Sequence, residues 1–378
     1  MNIKSLCGTP SQTLTTRVIL SIVIIVLMAA CERQSDQQVV RDEHFNSLFH
    51  LDSGGVTGAD GTISIALPDG RSVFMMGDSF LGKVENNRRD PNTHMMNNSF
   101  IVVNDDQTDT RALYQGTYDQ PRSFLVPPDS TKAEWYWPGH GFARDSVIHL
   151  FMSEFWKPRE GQWGFEFLGT DYLRLSYPGF EVLSREDFSF TNINQVHWGH
   201  AVVDDGDYVY IYGSRVEEKD QIMSEASAHV MRAQIKQNGT LGDFMFFNGS
   251  RWVEDPKQTR PMKGIGASVS EQFSVFQYKD QYVLLTQQRG MQNGKIFTYV
   301  SRKPTGPWGN ETMIHETTEQ KKDSTMFTYN AMAHPQYIKD GRLLVCYNLN
   351  SLHPPDIMKD VRKYRPRFLR VPMEMILE

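Results

Sequence analysis

The chain has 378 residues, with 45 acidic against 39 basic side chains for a formal charge of −6, and is 39% hydrophobic and 12% aromatic. A chain this apolar, at 22% charged, can bury a core, so it is neither disordered nor low-complexity, and its mild acidity argues against a nucleic-acid partner. Three cysteines exclude a disulfide scaffold, and the length allows two domains or one large one, at roughly 100 to 200 residues each.

The N-terminus reads as an export signal. Lys4 and Arg17 precede an apolar run over residues 18–28, and Ala29 and Ala30 follow it. That gives a basic segment, a short apolar segment and a small-residue cleavage site. The run is too short to span a bilayer as a helix, which takes about 20 residues. Cys31, directly after the small pair, resembles the lipidated cysteine of bacterial lipoproteins, although Met28 stands where that pattern prefers Leu. An uncleaved anchor or an ordinary signal peptide is the alternative. Cleavage before Cys31 leaves 348 residues with a charge of −8, because the removed piece carries only Lys4 and Arg17. Cys346 is then the one thiol of the folded body. It lies in the apolar stretch Leu343-Leu344-Val345-Cys346-Tyr347, as expected of a small buried hydrophobe. Residues 32–42 are polar and read as a tether.

Past residue 50 the chain is mostly β: short β-branched and aromatic runs bounded by Gly, Asp and Asn recur, and long amphipathic helical windows are scarce. One unit repeats five times, a strand, a tight polar turn and a very apolar strand. The turns lie near Asp69-Gly70, Asp145-Ser146, Asp205-Gly206, Lys279-Asp280 and Asp340-Gly341, at intervals of 76, 60, 75 and 60 residues. The apolar second strands are expected at Ser72 to Met76, Val147 to Met152, Tyr208 to Tyr212, Tyr282 to Thr286 and Leu343 to Tyr347. Outer strands are expected at Ser99 to Val103, Tyr172 to Leu175, His229 to Ile235 and Ile296 to Val300. Four-stranded units repeated in this way predict a five-bladed β-propeller filling residues 51–378, behind a signal peptide over 1–30 and a lipidated tether over 31–50. A large β-sandwich or two stacked all-β domains are the alternatives.

Turn chemistry then places two carboxylates. Pro68-Asp69-Gly70 suits a three-residue hairpin loop in which Leu67 pairs with Arg71. Carried along the strands, that register sets Asp60 opposite Asp78. Facing like charges destabilise a sheet, so a shared proton, a shared cation or work on a substrate is needed to explain them, unless both merely cap turns. The same pairing sets Tyr136 opposite Glu154, Gln195 opposite Arg215, Glu271 opposite Arg289 and Asn330 opposite Asn350, a polar ring at one end of the propeller. His140, His200 and His334 precede the apolar second strands of their units. They are expected either to ring the axis as metal ligands or substrate donors, or to be satisfied structural histidines.

Gly77-Asp78-Ser79-Phe80 is similar to the Gly-Asp-Ser block of esterases with a serine nucleophile. It lacks the following helix and the Asp-x-x-His pair that such an enzyme needs. There is no phosphate loop, no Gly-x-Ser-x-Gly elbow, no His-Glu-x-x-His and no Cys-x-x-Cys, which argues against nucleotide, zinc-protease and redox chemistry.

The stretch Gly58-Ala59-Asp60-Gly61-Thr62, through Leu67-Pro68-Asp69-Gly70-Arg71, to Gly77-Asp78-Ser79-Phe80-Leu81-Gly82 resembles the opening blade of a bacterial family of five-bladed, glycosidase-like propeller lipoproteins. That family is a domain-of-unknown-function group related to endo-acting D-arabinanases. Met96-Asn97-Asn98-Ser99, Trp198-Gly199-His200-Ala201, Tyr329-Asn330-Ala331-Met332-Ala333-His334-Pro335, Tyr347-Asn348-Leu349-Asn350-Ser351 and Tyr364-Arg365-Pro366-Arg367-Phe368 extend the likeness over about residues 54–371. The resemblance implies a glycoside hydrolase fold with acidic residues at the mouth of the first blade, where Asp60 and Asp78 stand. Ser79 replaces the Thr of many relatives, and Pro158 to Val196 do not match the pattern.

The chemistry asks for one protonated carboxyl at the leaving oxygen and one ionised carboxylate on the other side of the bond. Asp60 and Asp78 are the candidates, with Glu271 as a reserve acid. Trp137, His140, Trp198, His200, Arg215, Asn330 and His334 are candidates for substrate binding. Trp137, Trp198, Tyr136 and Phe142 could stack on sugars or pack between blades. The expectation is therefore a monomeric glycoside hydrolase on an envelope polysaccharide or oligosaccharide, arabinan-type included. It is exported and held to the membrane through lipid on Cys31, in the outer membrane on its periplasmic or its outer surface. The alternatives are a noncatalytic glycan-binding propeller and an esterase using Ser79. No cofactor is required and no metal ligands are assigned, an axial calcium ion being left open.

Overall fold

A computed structural model describes residues 38–128, 134–161, 163–217, 224–290 and 292–377. The apolar run 18–28, Ala29, Ala30 and Cys31 lie outside the described residues. Five antiparallel sheets of four or five strands follow one another along the chain. The first is built from Ile63–Ala66, Ser72–Met76, Ser99–Val103 and Thr110–Leu113. The second uses Trp135–Arg144, Val147–Trp156, Glu166–Ser176 and Val182–Asp187, and the third His197–Asp204, Val209–Val216, Ala226–Ile235 and Leu241–Phe247 with the short Trp252–Val253 at its edge. The fourth has Ser274–Tyr278, Gln281–Gln287, Lys295–Ser301 and Gly309–Glu316. Met326–Lys339, Arg342–Ser351 and Arg367–Pro372 make most of the fifth, which the N-terminal Val40–Arg41 completes.

The first strand of each sheet touches the first strand of the next, and the fifth returns to the first, so the sheets stand as blades around a ring. The fold is a β-propeller. The expected second strands all lie within observed strands except Tyr208, which directly precedes its strand, and the expected outer strand Ser99–Val103 is observed with the same bounds.

Apolar side chains pack between blades rather than around one centre. Phe74, Met76, Leu150 and Leu173 belong to one buried cluster, Phe151, Trp198 and Phe246 to another, Tyr212, Phe273 and Leu284 to a third, and Val283, Leu343 and Val345 to a fourth. A second strand covered on both faces needs apolar side chains at every position, which is why these strands read as continuous runs. Each such side chain contributes about 1.5–3 kcal/mol of burial. Cys346 is one of them, a buried free thiol.

The domain boundary drawn at residue 51 falls inside the fold. Val40 and Arg41 pair with Arg370 and Leu369, and Phe45 and Phe49 of the helix Glu43–Phe49 sit in the core against Phe74 and Phe368. Asp42 caps that helix, accepting from Phe45 N–H at 2.8 Å. The tether reading of residues 32–42 therefore fails for Val40–Asp42. A two-residue strand is too short to carry a periodic signal. Among the described residues no helix is long and apolar enough to cross a membrane.

Candidate active site

The register expected from the Pro68-Asp69-Gly70 turn is observed. Ile63 pairs with Met75 and Ala66 with Ser72, and beyond a break Ala59 pairs with Ser79 and Gly58 with Phe80. Asp60 and Asp78 face each other at the break, Asp60 N–H donating to the Asp78 carbonyl at 3.2 Å. They are not at the free end of a hairpin. The ladder continues past them into a small sheet of Val56–Ala59, Ser79–Leu81 and Met95–Met96. The bend between the two sheets is made by Gly61 at φ +82° and Thr62 at φ 47°. A methyl on Gly61 would lie 2.7 Å from the Gly77 nitrogen, and one on Gly77 would collide with Asp60 Oδ1, so the glycine pair makes the space for the acid.

Neighbouring blades hold the two carboxyls differently. Asp60 Oδ2 accepts from the Tyr329 hydroxyl of the fifth blade at 2.6 Å. Asp78 Oδ1 accepts from Trp137 Nε1 of the second blade at 2.8 Å and from Asn97 Nδ2 at 3.2 Å. The Tyr364 hydroxyl donates to the Asp78 carbonyl at 3.1 Å. Burial, and after it the charge of Asp60, push the Asp78 carboxyl up to about 7. Burial also raises Asp60, opposed by the hydroxyls of Tyr329 and Tyr364, which favour its ionised form.

The other side of the mouth is built by the fourth blade. Glu271 forms an ion pair with Arg289, as the sequence suggested, although the strands there begin at Ser274 and end at Gln287, so the two are not ladder partners. The Arg289 side chain is only 11% exposed, and its Nε and Nη1 have no hydrogen-bond partner among the described residues. Gln272, next to Glu271, donates to the Pro138 carbonyl of the second blade at 3.0 Å and accepts from Asn330 at 3.2 Å.

Other sequence-derived candidates fall elsewhere. His334 is fully buried between the fifth and first blades, 2.6 Å from Ser64 Oγ and 3.2 Å from Cys346 Sγ, with its ring 5.0 Å from that of Phe74. His140 accepts from Val202 N–H of the third blade at 3.0 Å. His200 is buried 3.0 Å from Ser214 Oγ. Desolvation pushes His140 down to about 4, His334 to about 3 and His200 well below its ordinary value. His140 and His334 bridge adjacent blades, and His200 is held within the third blade. No group of three or more metal-ligating side chains occurs among the described residues.

Trp198 is also buried, its Nε1 donating to Asn194 at 3.3 Å. Phe142 stacks on His149 at 4.4 Å near the opposite end of its blade, and the Tyr136 hydroxyl donates to Asp171. Tyr136 does pair with Glu154 as expected. Gln195 and Arg215 do not pair, because Gln195 ends a short helix and the inner strand begins only at His197. Asn330 does not face Asn350, which pairs with Phe327. The register shifts between His334 and Lys339 and again at a bulge between Tyr329 and Met332, where Asn330 is left-handed (φ 49°). Ser79 is fully buried, with the Ser99 hydroxyl donating to it at 2.8 Å, and has no hydrogen bond to a histidine among the described residues.

Tyr329, Tyr364 and Asn97 were not singled out in the sequence. All three stand inside the motifs that carry the family resemblance, which was the available signal.

No curated protein sequence matches the chain. Its fold is similar to that of a candidate hydrolase from Bacteroides ovatus, at 19% identity and a TM-score of 0.70 over 88% of this chain and 89% of that one. A GH43_1 enzyme from Xanthomonas citri complexed with xylose is more distant, at 13% identity and a TM-score of 0.45 over 86% and 91% of the two chains. An α-L-arabinanase mutant from Cellvibrio cellulosa gives 11% identity and 0.42 over 83% and 91%. The profile of a domain of unknown function, DUF5005, matches residues 42–373. With the match running from the cap of the first helix to the end of the last blade, the chain belongs to the DUF5005 family.

Proposed function

We propose that the protein is a glycoside hydrolase in which Asp78 supplies the proton to the leaving oxygen and Asp60 is the ionised carboxylate. The observation that carries this reading is the facing pair itself, two half-buried carboxyls given unlike environments at one mouth of the propeller. Both N–H donors to Asp78, the Trp137 indole and the Asn97 amide, bind Oδ1, which leaves Oδ2 to hold a proton. Asp60 takes a tyrosine hydroxyl at Oδ2, which favours its anion. An acid and a base from one pair of carboxyls is what glycosidic cleavage requires. The rings of Trp135, Trp137, Phe155 and Phe165 line up beside the pair at centroid separations of 4.6–6.3 Å, a surface suited to the apolar faces of sugars.

Release of reducing sugar from a glycan panel that includes arabinans tests the reading. Asp60→Asn and Asp78→Asn should each abolish release, and unchanged release in either variant overturns it. The aromatic wall would equally serve a noncatalytic glycan-binding propeller. That reading predicts binding without turnover in the wild type, whereas a catalytic Asp60 predicts that Asp60→Asn loses turnover and keeps affinity.

Export and lipidation at Cys31 complete the proposal. The described chain starts beside the Asp340-Gly341 turn, where Arg342 donates to the Gln38 carbonyl at 2.8 Å. That turn is at the end of the fifth blade away from Tyr329, so an anchor upstream of Gln38 would leave the acid pair facing away from the membrane. Fatty-acid labelling that persists in a Cys31→Ser protein overturns the anchor.

A further inference from the structure

We infer that an aromatic arch from the second blade to the fifth closes one side of the acid pair, so that the site accepts the end of a glycan chain and excludes its interior. The inference rests on the hydrolase reading and concerns how the substrate enters.

The hairpin between Val147–Trp156 and Glu166–Ser176 rises beyond the end of the second blade on the side of Asp60 and Asp78. It has its own internal order: Arg159 N–H donates to the Gly164 carbonyl at 3.2 Å, and Arg159 pairs with Glu166 at 3.1 Å. It carries Trp163 and Phe165. Phe165 lies edge-on to Trp137 at 5.0 Å, Trp163 lies 6.2 Å from Phe165, and Trp163 also lies 6.2 Å from Phe327 of the fifth blade. Phe327 is 5.2 Å from Tyr329.

The second and fifth blades are not neighbours in the ring; the first blade stands between them. A row of rings from Trp137 to Tyr329 therefore crosses over the mouth of the first blade. Its two ends are the side chains that donate to the acids, Trp137 to Asp78 and Tyr329 to Asp60. A sugar ring in contact with two aromatic faces at once needs roughly 8 Å between their centroids, twice a contact distance of about 4 Å. At 6.2 Å, Trp163 and Phe327 leave no passage for a chain between them. The fourth-blade side is open by contrast, where the Glu271 side chain is 51% exposed. Substrate entering from there meets the arch behind the acids. The 39% exposed Trp163 is then a specificity-determining residue, the wall against which a terminal sugar stops.

The test compares hexameric arabino-, xylo- and manno-oligosaccharides with free ends against the same hexamers capped at both ends by a bulky fluorophore. The wild type should favour free ends by at least about tenfold. Trp163→Ala, and independently Phe327→Ala, should narrow that ratio about tenfold by admitting capped chains, while Trp163→Phe keeps it. Equal wild-type cleavage of capped and free chains, or a ratio unmoved in both alanine variants, overturns the inference and leaves the hydrolase reading standing. Failure of the wild type to cleave any free hexamer overturns both.

Discussion

Asp78→Asn should abolish turnover and yet stabilise the protein at alkaline pH. Asparagine is isosteric with a protonated aspartic acid and keeps an oxygen to accept from Trp137 and Asn97, whose bonds both go to Oδ1. The folded state holds the Asp78 carboxyl near 7 against an ordinary value of 3.8, through burial and the charge of Asp60. A raised carboxyl binds its proton more tightly in the folded chain than in the unfolded one. Its stabilising contribution is complete below pH 3.8 and is lost as pH rises through about 7. At about 1.4 kcal/mol per unit the ceiling is roughly 4 kcal/mol, and the partial exposure of Asp78 to solvent reduces that to about 1–3 kcal/mol. With an unfolding entropy of about 2.1 cal/mol/K per residue over roughly 330 folded residues, 2 kcal/mol corresponds to about 3 °C. Thermal unfolding of both proteins at pH 5 and pH 8 is the assay. The variant should melt about 0.5–1.5 °C higher at pH 5, where the unfolded Asp78 is ionised and the folded one is not, and about 1.5–4 °C higher at pH 8. A variant that melts lower than the wild type at pH 8, or a difference that does not change between the two pH values, refutes the assignment of the shared proton to Asp78.

Tyr329→Phe removes the hydroxyl at Asp60 Oδ2. A hydrogen bond to a charged group, worth about 1.5–3 kcal/mol, corresponds to about 1–2 units, so the acid limb of the kcat/KM profile should move up by that amount, and an unmoved limb counts against Asp60 as the ionised partner. Trp137→Phe keeps the ring but removes a donor that holds the Asp78 carboxyl down; the alkaline limb should move up by as much as about one unit, measurable in the same profiles. Gly77→Ala places a methyl against Asp60 Oδ1 and should lower kcat at least tenfold while leaving the far-ultraviolet circular dichroism unchanged. His334→Ala should cost about 2–4 kcal/mol in denaturant unfolding, through lost bonds to Ser64 and Cys346 and a cavity beside Phe74, with turnover per folded molecule unchanged; a loss of turnover at full stability would return the histidine to the site.

Much of the site was legible because a hairpin's register follows from its turn. Once Pro68-Asp69-Gly70 fixed Leu67 against Arg71, Asp60 had to meet Asp78, and the bend at Gly61 and Thr62 left that pairing in place. The same reasoning failed for Asn330 and Gln195. Register shifts between His334 and Lys339 and again between Tyr329 and Met332, and a short helix before His197, break the period of two, and none leaves a mark in hydrophobic alternation. The histidines were left open for a related reason: a His before an apolar strand reads alike whether it faces the axis or braces the next blade, and only the partner chosen, Ser64 or Val202, shows the bracing contact.

The sequence by itself determined the fold class, the repeating unit with its second strands, and the meeting of Asp60 with Asp78. All three are local consequences of side-chain alternation and turn stereochemistry within a few tens of residues. Only the tertiary structure decided which partners those acids receive, Trp137 for Asp78 and Tyr329 for Asp60, that Val40–Arg41 complete the last blade, and that Trp163 crosses to Phe327. These contacts join segments tens to hundreds of residues apart, brought together by closure of the ring. Burial, which gives the two carboxyls their altered proton affinities, likewise exists only once the blades have closed around them.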